Sequence, residues 1–274
     1  MTCFYSPNFA CSGNQFEHII KKFDKEGTRV GDSTRNVIKY FNINGTDINF
    51  KSFRTPNFFN KIVYSHFRKS KARRSFENAL FLLSKGLDTP EPVAYLEYYD
   101  MLGLNASYYI SRQLDDVVEL RTVLVDPHFP DRENILRKYT TYFFYMHEHG
   151  IEFLDNSPGN SLVKKSGDEY IIYLVDLNRM RFKNSLSITK RMQNFARLTT
   201  DKSALEIIAR EYARFVNVPS EDLLQQLVAV THRFRETRLA KKNFKKKVSS
   251  FKKMFNASLF WASSLPENIC CNPI

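Results

Sequence analysis

The chain has little of what staples, hinges or inserts a protein. Four cysteines occur in 274 residues: Cys3 and Cys11 near one end, and the adjacent Cys270 and Cys271 at the other. Neither pair has the spacing of a zinc site, and a chain of this length needs no disulfide framework, so all four read as free thiols. Nine glycines and ten prolines leave no room for a low-complexity linker, and no internal repeat is visible. The richest apolar runs, Tyr142 to Met146 and Ile171 to Val175, fall far short of a bilayer span. The opening residues lack the basic start and apolar core of a secretory signal. The expected location is the cytosol.

What is present is hydrophobic residue, 43% of the chain, enough for one large domain or two lobes sharing an interface. The formal charge of +12 is unevenly placed. Between His232 and Lys253 there are ten Lys or Arg and one acid, Glu236; a second basic cluster runs from Arg68 to Arg74. Such fields attract nucleic acid, anionic lipid or phosphorylated substrates. Aromatic residues, 14% of the chain, could stack on bases, but most fall on apolar stripes, so nucleic acid is not the expected partner.

Asn44-Gly45 between the alternating runs 36–41 and 47–53 predicts a β-hairpin. A helix follows with Phe76, Ala79, Leu80 and Leu83 on one face and Gly86 as its stop. Strands are expected over Val93–Tyr99 and Ala106–Leu114. Residues 131–149 form the clearest helix, with Ile135, Leu136, Tyr139, Tyr142, Phe143 and Met146 as its stripe and Gly150 as its end. A second hairpin is expected from Ser161 to Leu177, turning at Ser166-Gly167-Asp168. Helices are expected over Ala204–Phe215, over Glu221–Phe234, and in a separate basic final segment. The class is α+β: a small antiparallel-sheet lobe with one helix, then a mainly helical lobe. His147 and His149, two residues apart on a helix, point to different faces and read as helix-end or capping residues rather than a metal pair.

The chemistry concentrates in the loop from His149 to Asn160 and in Asp176. Phosphoryl transfer needs a carboxylate beside the attacking hydroxyl and oxygen ligands for Mg²⁺ on the ATP phosphates. Asp155 and Asn160, with four residues between them in one loop, and Asp176 at the end of a buried strand supply that set. Asp100 and Asn105 repeat the spacing in a predicted turn, without an apolar helix ending in His-Gly before it or an Asp-terminated strand after it.

The stretch from Arg35 to Phe182 resembles the lipopolysaccharide core kinase family, which phosphorylates Kdo or heptose sugars on a protein-kinase-like fold. Residues 50–57, 68–77 and 89–97 carry the resemblance in the first part. Leu154-Asp-Asn-Ser-Pro-Gly-Asn160 and Leu174-Val-Asp-Leu-Asn-Arg-Met-Arg-Phe182 carry it in the second. The resemblance implies a bilobal fold, with residues 1–114 as the N-terminal lobe and 115–274 as the C-terminal lobe. It implies ATP and Mg²⁺ as cofactors and a lipid-linked sugar acceptor. Lys51 would contact the ATP phosphates and Glu77 would be its ion-pair partner. Asp155 would orient or deprotonate the acceptor hydroxyl, and Asn160 and Asp176 would bind Mg²⁺. Lys39, on the preceding strand, is the rival to Lys51, which lies on the strand nearer the Glu77 helix. The sequence departs from kinase patterns in three places. No Gly-x-Gly-x-x-Gly is present, with only Gly27 and Gly31 to serve a phosphate-covering turn. Phe153 stands where many such enzymes have His, and Leu-Asn follows Asp176. A kinase-like enzyme with another acceptor and a non-catalytic kinase-like binding protein are the alternatives. In the basic final segment Phe244, Val248, Phe251 and Phe255 recur at helical spacing. They either pack into the core or lie on the anionic inner face of the membrane.

Overall fold

The structure, a computed structural model, describes residues 2–6, 13–31, 36–53 and 68–263, the side chains of residues 13, 14 and 250–263 excepted. The Asn44-Gly45 hairpin forms as expected. Strands β3 (Asn36–Ile43) and β4 (Thr46–Phe53) pair without a register break, joined by two residues of positive φ, 53° and 81°. Two such residues give the primed turn whose twist matches that of the strands. Strands β5 (Pro92–Asp100) and β6 (Gly103–Arg112) follow as expected, and β6 pairs with both β4 and β5. Three further elements were not anticipated: β1 (Thr2–Tyr5), helix α1 (Gly13–Lys22) and β2 (Thr28–Arg29). The strands are short and largely exposed, so they carry no alternating signal. They complete an antiparallel six-stranded sheet of order β1-β5-β6-β4-β3-β2.

The period of two along each strand divides the sheet into two faces. Phe50, Ala94, Leu96 and Ile110 point to one side and form a buried cluster with Phe16 and Phe23 of the α1 region. Phe53, Tyr95 and Tyr109 point to the other side, where they join a larger core reached through helix α2 (Lys71–Ser84). Ser70 caps α2, its side chain accepting from the Arg73 amide. The buried stripe of α2 is Ala72, Ser75, Phe76, Ala79 and Leu82, rotated from the expected one; Leu80 and Leu83 are each more than a third exposed. Three small residues on the buried side let the helix approach the sheet closely, which a stripe chosen by side-chain size overlooks.

The second half continues with β7 (Val117–Glu119), α3 (Leu120–Val125) and α4 (Arg132–Glu148), whose expected stripe is buried throughout. Then come β8 (Ile151–Phe153), a 3-10 turn at Pro158–Asn160, the hairpin β9 (Ser161–Ser166) and β10 (Glu169–Leu174), and β11 (Met180–Phe182). The expected strand to Leu177 stops at Leu174, because Asp176 turns left-handed at φ 61°. Helices α5 (Ile188–Phe195), α6 (Lys202–Ala213) and α7 (Ser220–Ser263) close the chain. The two final helices expected from the sequence are one continuous helix of 44 residues. The join, Arg235 to Lys242, holds no Gly or Pro and is made mostly of strong helix formers. Among the described residues no helix is long and apolar enough to cross a membrane.

Gly150 ends α4 at φ 68°, and a Cβ there would overlap the Lys183 carbonyl oxygen, whose own amide donates to Gly150 O at 3.0 Å. Gly86 ends α2 at φ 69° in open space. Both substitutions to Ala carry left-handed strain, but only one carries the overlap. Gly86→Ala should cost about 1 kcal/mol and Gly150→Ala about 3 kcal/mol or more. Denaturant midpoints of the two variants check the order.

Candidate active site

Lys51 leaves β4 on the face shared with Phe53 and Tyr109. Its ammonium lies 2.6 Å from Asp176 Oδ1 and 5.4 Å from the centre of the Phe53 ring. Lys39 points from the opposite face of the sheet. It donates to the carbonyl oxygens of Phe23 at 2.5 Å and Glu26 at 2.9 Å, a cation seated beyond the C-terminal end of α1. Of the two candidate lysines, only Lys51 reaches the residues of the loop.

Glu77 is not paired with Lys51. Its carboxylate receives Lys69 Nζ at 2.8 Å and Arg73 Nε at 2.9 Å, the latter one turn earlier on the same helix. Partial burial opposes its ionisation, but the bonds from Lys69 and Arg73 outweigh that and hold its pKa below the usual carboxylate value. Local partners therefore satisfy Glu77, and Asp176 stands beside Lys51 where Glu77 was expected.

Backbone bonds gather the three loop residues. Asn160 Nδ2 donates to the Asp155 carbonyl at 2.8 Å, and the Asn160 carbonyl accepts from the Val175 amide at 3.0 Å. Asp155, Asn160 and Asp176 thus form one connected unit. Asp176 Oδ1 also accepts from Asn178 Nδ2 at 2.7 Å. Helix α2 grips the segment that follows: Asn78 Nδ2 donates to Leu177 O at 2.6 Å and Arg74 Nη1 to Asn178 O at 2.8 Å. The sequence marks Arg74 only as the end of a basic cluster and does not single out Asn78.

Behind the loop lies a buried polar network centred on Asn194 of α5. Its Nδ2 donates to Phe153 O at 2.6 Å, and its Oδ1 accepts from the Phe153 amide at 3.3 Å. Its carbonyl accepts from Asn156 Nδ2 at 2.9 Å, and Tyr139 Oη donates to Asn156 Oδ1 at 2.8 Å. His147 Nε2 lies 3.0 Å from the same Asn194 Oδ1, and Nδ1 lies 3.0 Å from Tyr212 Oη. Because Oδ1 only accepts, Nε2 carries the imidazole proton and Nδ1 accepts from Tyr212. His147 stands in the last turn of α4, as expected, but fully buried on its core side, and His149 is the C-cap. The network holds the loop through the backbone of Phe153, whose ring is fully buried.

Asp155 faces outward from this support. Its Oδ1 receives Arg197 Nη1 at 2.5 Å and Arg179 Nη1 at 3.0 Å. Arg179 stands in the second stretch that carries the resemblance, but nothing in the sequence marked either arginine as a partner of Asp155.

No protein-family model and no curated protein matches the chain. Among solved structures, WaaP in complex with acyl carrier protein aligns with 86% of this chain and 99% of its own, at a TM-score of 0.60 and 18% identity. The fold is protein-kinase-like. The bilobal α+β class expected from the sequence is the one found.

The donor set fits a hard cation. Asp176 offers a carboxylate, and the bond from Asn160 Nδ2 to Asp155 O leaves the amide oxygen of Asn160 as its open end; oxygen ligands of this kind suit Mg²⁺. Gly31, one of the two glycines available for a phosphate-covering turn, opens a connection whose residues 32–35 lie outside the described residues.

Burial pushes the His147 pKa down to about 3, with Arg191 adding to the effect and the bond to Asn194 opposing it. An unfolded histidine titrates near 6.5. Between those values the unfolded chain binds a proton that the folded chain excludes, so stability present above pH 6.5 is lost as the pH falls towards 3. The slope due to this group reaches about 1.4 kcal/mol per pH unit. His147→Gln should flatten the acid limb of a stability–pH curve by up to one proton. Urea unfolding between pH 4 and 7 measures the difference.

Proposed function

We propose that the chain is an ATP-dependent phosphotransferase acting on a sugar hydroxyl, Kdo or heptose, of a lipopolysaccharide core precursor. The observation that carries this reading is the contact of Lys51 with Asp176, which joins the sheet to a loop unit already holding Asp155 and Asn160. The fold shared with WaaP, a lipopolysaccharide core heptose kinase, supports it, as does the sequence resemblance.

In this reading Lys51 binds the ATP phosphates, which compete with Asp176 for its ammonium. Glu77, on the neighbouring helix, belongs to the same ATP-binding side. Asp155 faces the accepting hydroxyl and takes up or orients its proton. Asn160 and Asp176 hold Mg²⁺, which supplies charge neutralisation on the transferred phosphate when bound. The Asn194 network keeps Asp155 in place through the loop backbone. The division between lobes falls at residues 114 and 115, between the end of β6 and the start of β7.

We also place the enzyme in the cytoplasm, touching the inner membrane face through α7. Phe244 is 69% and Val248 41% exposed, so neither packs into the helical lobe, and both stand among lysines. The side chains of Phe251 and Phe255 lie outside the described residues. Reversing the charge of Lys245, Lys246 and Lys247 together should lower binding to anionic liposomes, since each basic residue near such a surface contributes about 1 kcal/mol. Unchanged co-sedimentation would remove the membrane role.

Asp155→Ala should reduce phosphoryl transfer to a lipid A–sugar acceptor by roughly 10²–10⁴-fold with the fold intact. Asp176→Asn retains a residue that tolerates the left-handed backbone, so it should fold normally while shifting the Mg²⁺ titration to higher concentration. Transfer of label from ATP, with Mg²⁺ varied, tests both. Full activity of Asp155→Ala on a verified acceptor would sink the assignment.

A further inference from the structure

In the proposed reaction Asp155 must meet an uncharged hydroxyl, yet its Oδ1 is already held by two guanidinium groups. Asp155 is 17% exposed, against 36% for Arg197 and 54% for Arg179. The cations therefore stand on the solvent side of the carboxylate, across the approach to it. Arg197 is not a loose surface residue. Its Nη1 also donates to Leu154 O at 3.0 Å, and its guanidinium lies 5.8 Å from the centre of the Phe234 ring on α7.

A cavity of about 1200 Å³ opens from these two arginines along α5 and α7. Eight of its fourteen lining residues are Lys or Arg, and none is acidic. Asp155 is the nearest anion, and it can balance only one of the two arginines beside it. A neutral sugar entering here would leave that excess unpaired and Asp155 still held. An anionic group offers each guanidinium the planar, two-point partner it suits best.

We propose that Arg179 and Arg197 form an anion subsite for the acceptor, in which a carboxylate or phosphate close to the accepting hydroxyl takes the place of Asp155. Acceptor recognition and release of the catalytic carboxylate are then one exchange of ion-pair partners. A neutral acceptor is discriminated against because it cannot make that exchange. The inference rests on the phosphotransferase reading and adds to it a requirement on the substrate: the acceptor is acidic beside its reactive hydroxyl.

The test uses the full chain with glucose 6-phosphate, glucuronate and glucose as probes, each titrated by ligand-observed NMR. Binding of Mg²⁺–ADP is measured on the same samples. Wild type should bind at least one charged sugar about 10-fold or more tighter than glucose, the scale of one charge-assisted pair. Whichever of the two binds tighter identifies phosphate or carboxylate as the recognised group. Arg197→Gln and Arg179→Gln should lose that preference, Arg197→Lys should keep part of it, and Lys245→Gln, further along the cavity, should keep all of it. Circular dichroism melts confirm that each variant is folded; Arg179, whose guanidinium bonds the Asp155 carboxylate while its contact with the Leu154 amide is made by its own backbone carbonyl, serves if Arg197→Gln is not.

Equal binding of the three sugars, or an unchanged preference in a folded arginine variant, overturns the subsite. So does equal loss in Lys245→Gln, which would mean diffuse attraction by the whole cavity. Competition of anionic vesicles with the charged sugar in wild type but not in Lys245→Gln would assign the cavity to a membrane and overturn it as well. If Mg²⁺–ADP binds normally while charged sugars do not, the subsite fails and the phosphotransferase reading stands. If neither binds, both fail.

Discussion

The amide of Asn194 sits between α5 and the loop that follows β8, and the candidate site hangs from it. Its side chain engages both backbone groups of Phe153, its carbonyl takes Asn156, and His147 completes the acceptor side of Oδ1. An unpaired polar group at this depth costs about 1–3 kcal/mol, so the members must be satisfied together or not at all. That condition leaves residues 153–156 one geometry, with Asp155 turned towards solvent. From Asp155 the order passes through Asn160 to Val175 and so to Asp176, and from Asp176 across to Lys51. At position 153 the backbone bonds Asn194 while the phenylalanine ring is buried in the core.

Each acid of the site is matched by cations. Asp155 has Arg179 and Arg197, Asp176 has Lys51, and Glu77 has Lys69 and Arg73. Every one of these acids is paired and the cations are in excess, so in the proposed reading an anionic ligand enters by exchange of partners. Partly exposed pairs of this kind are individually weak, which keeps the exchange inexpensive. The excess of positive charge along α7 lies on one side of Asp155, so the surroundings of the carboxylate are electrically lopsided.

Helix α2 is the element that couples these parts. Its inner face of small residues brings it close to the sheet, its Asn78 and Arg74 hold the backbone after Asp176, and its Glu77 closes a local ion-pair group. Movement of α2 would therefore be felt at Asp176 through two hydrogen bonds, without passing through Lys51.

The sequence by itself determined the local elements: the Asn44-Gly45 hairpin, the α4 stripe with its glycine stop, and the loop that presents Asp155 and Asn160. These depend on period, turn chemistry and backbone freedom, all of which act between residues near in the chain. It also picked out Asp176, from its place at the end of a buried strand, and Lys51, through resemblance, although the two are separated by 125 residues. The strand it lies on favours Lys51 over Lys39; tertiary structure added that the two point to opposite faces of the sheet and that Lys51 reaches Asp176. It decided that Glu77 turns to Lys69 and Arg73, and that His147 is buried. It placed Arg197 on Asp155. Short, exposed strands such as β1 and β2 left no periodic trace, and the join within α7 followed from what was missing between its halves. A charge shows its sign in the sequence; its partner is fixed only when distant segments are brought within a few ångströms.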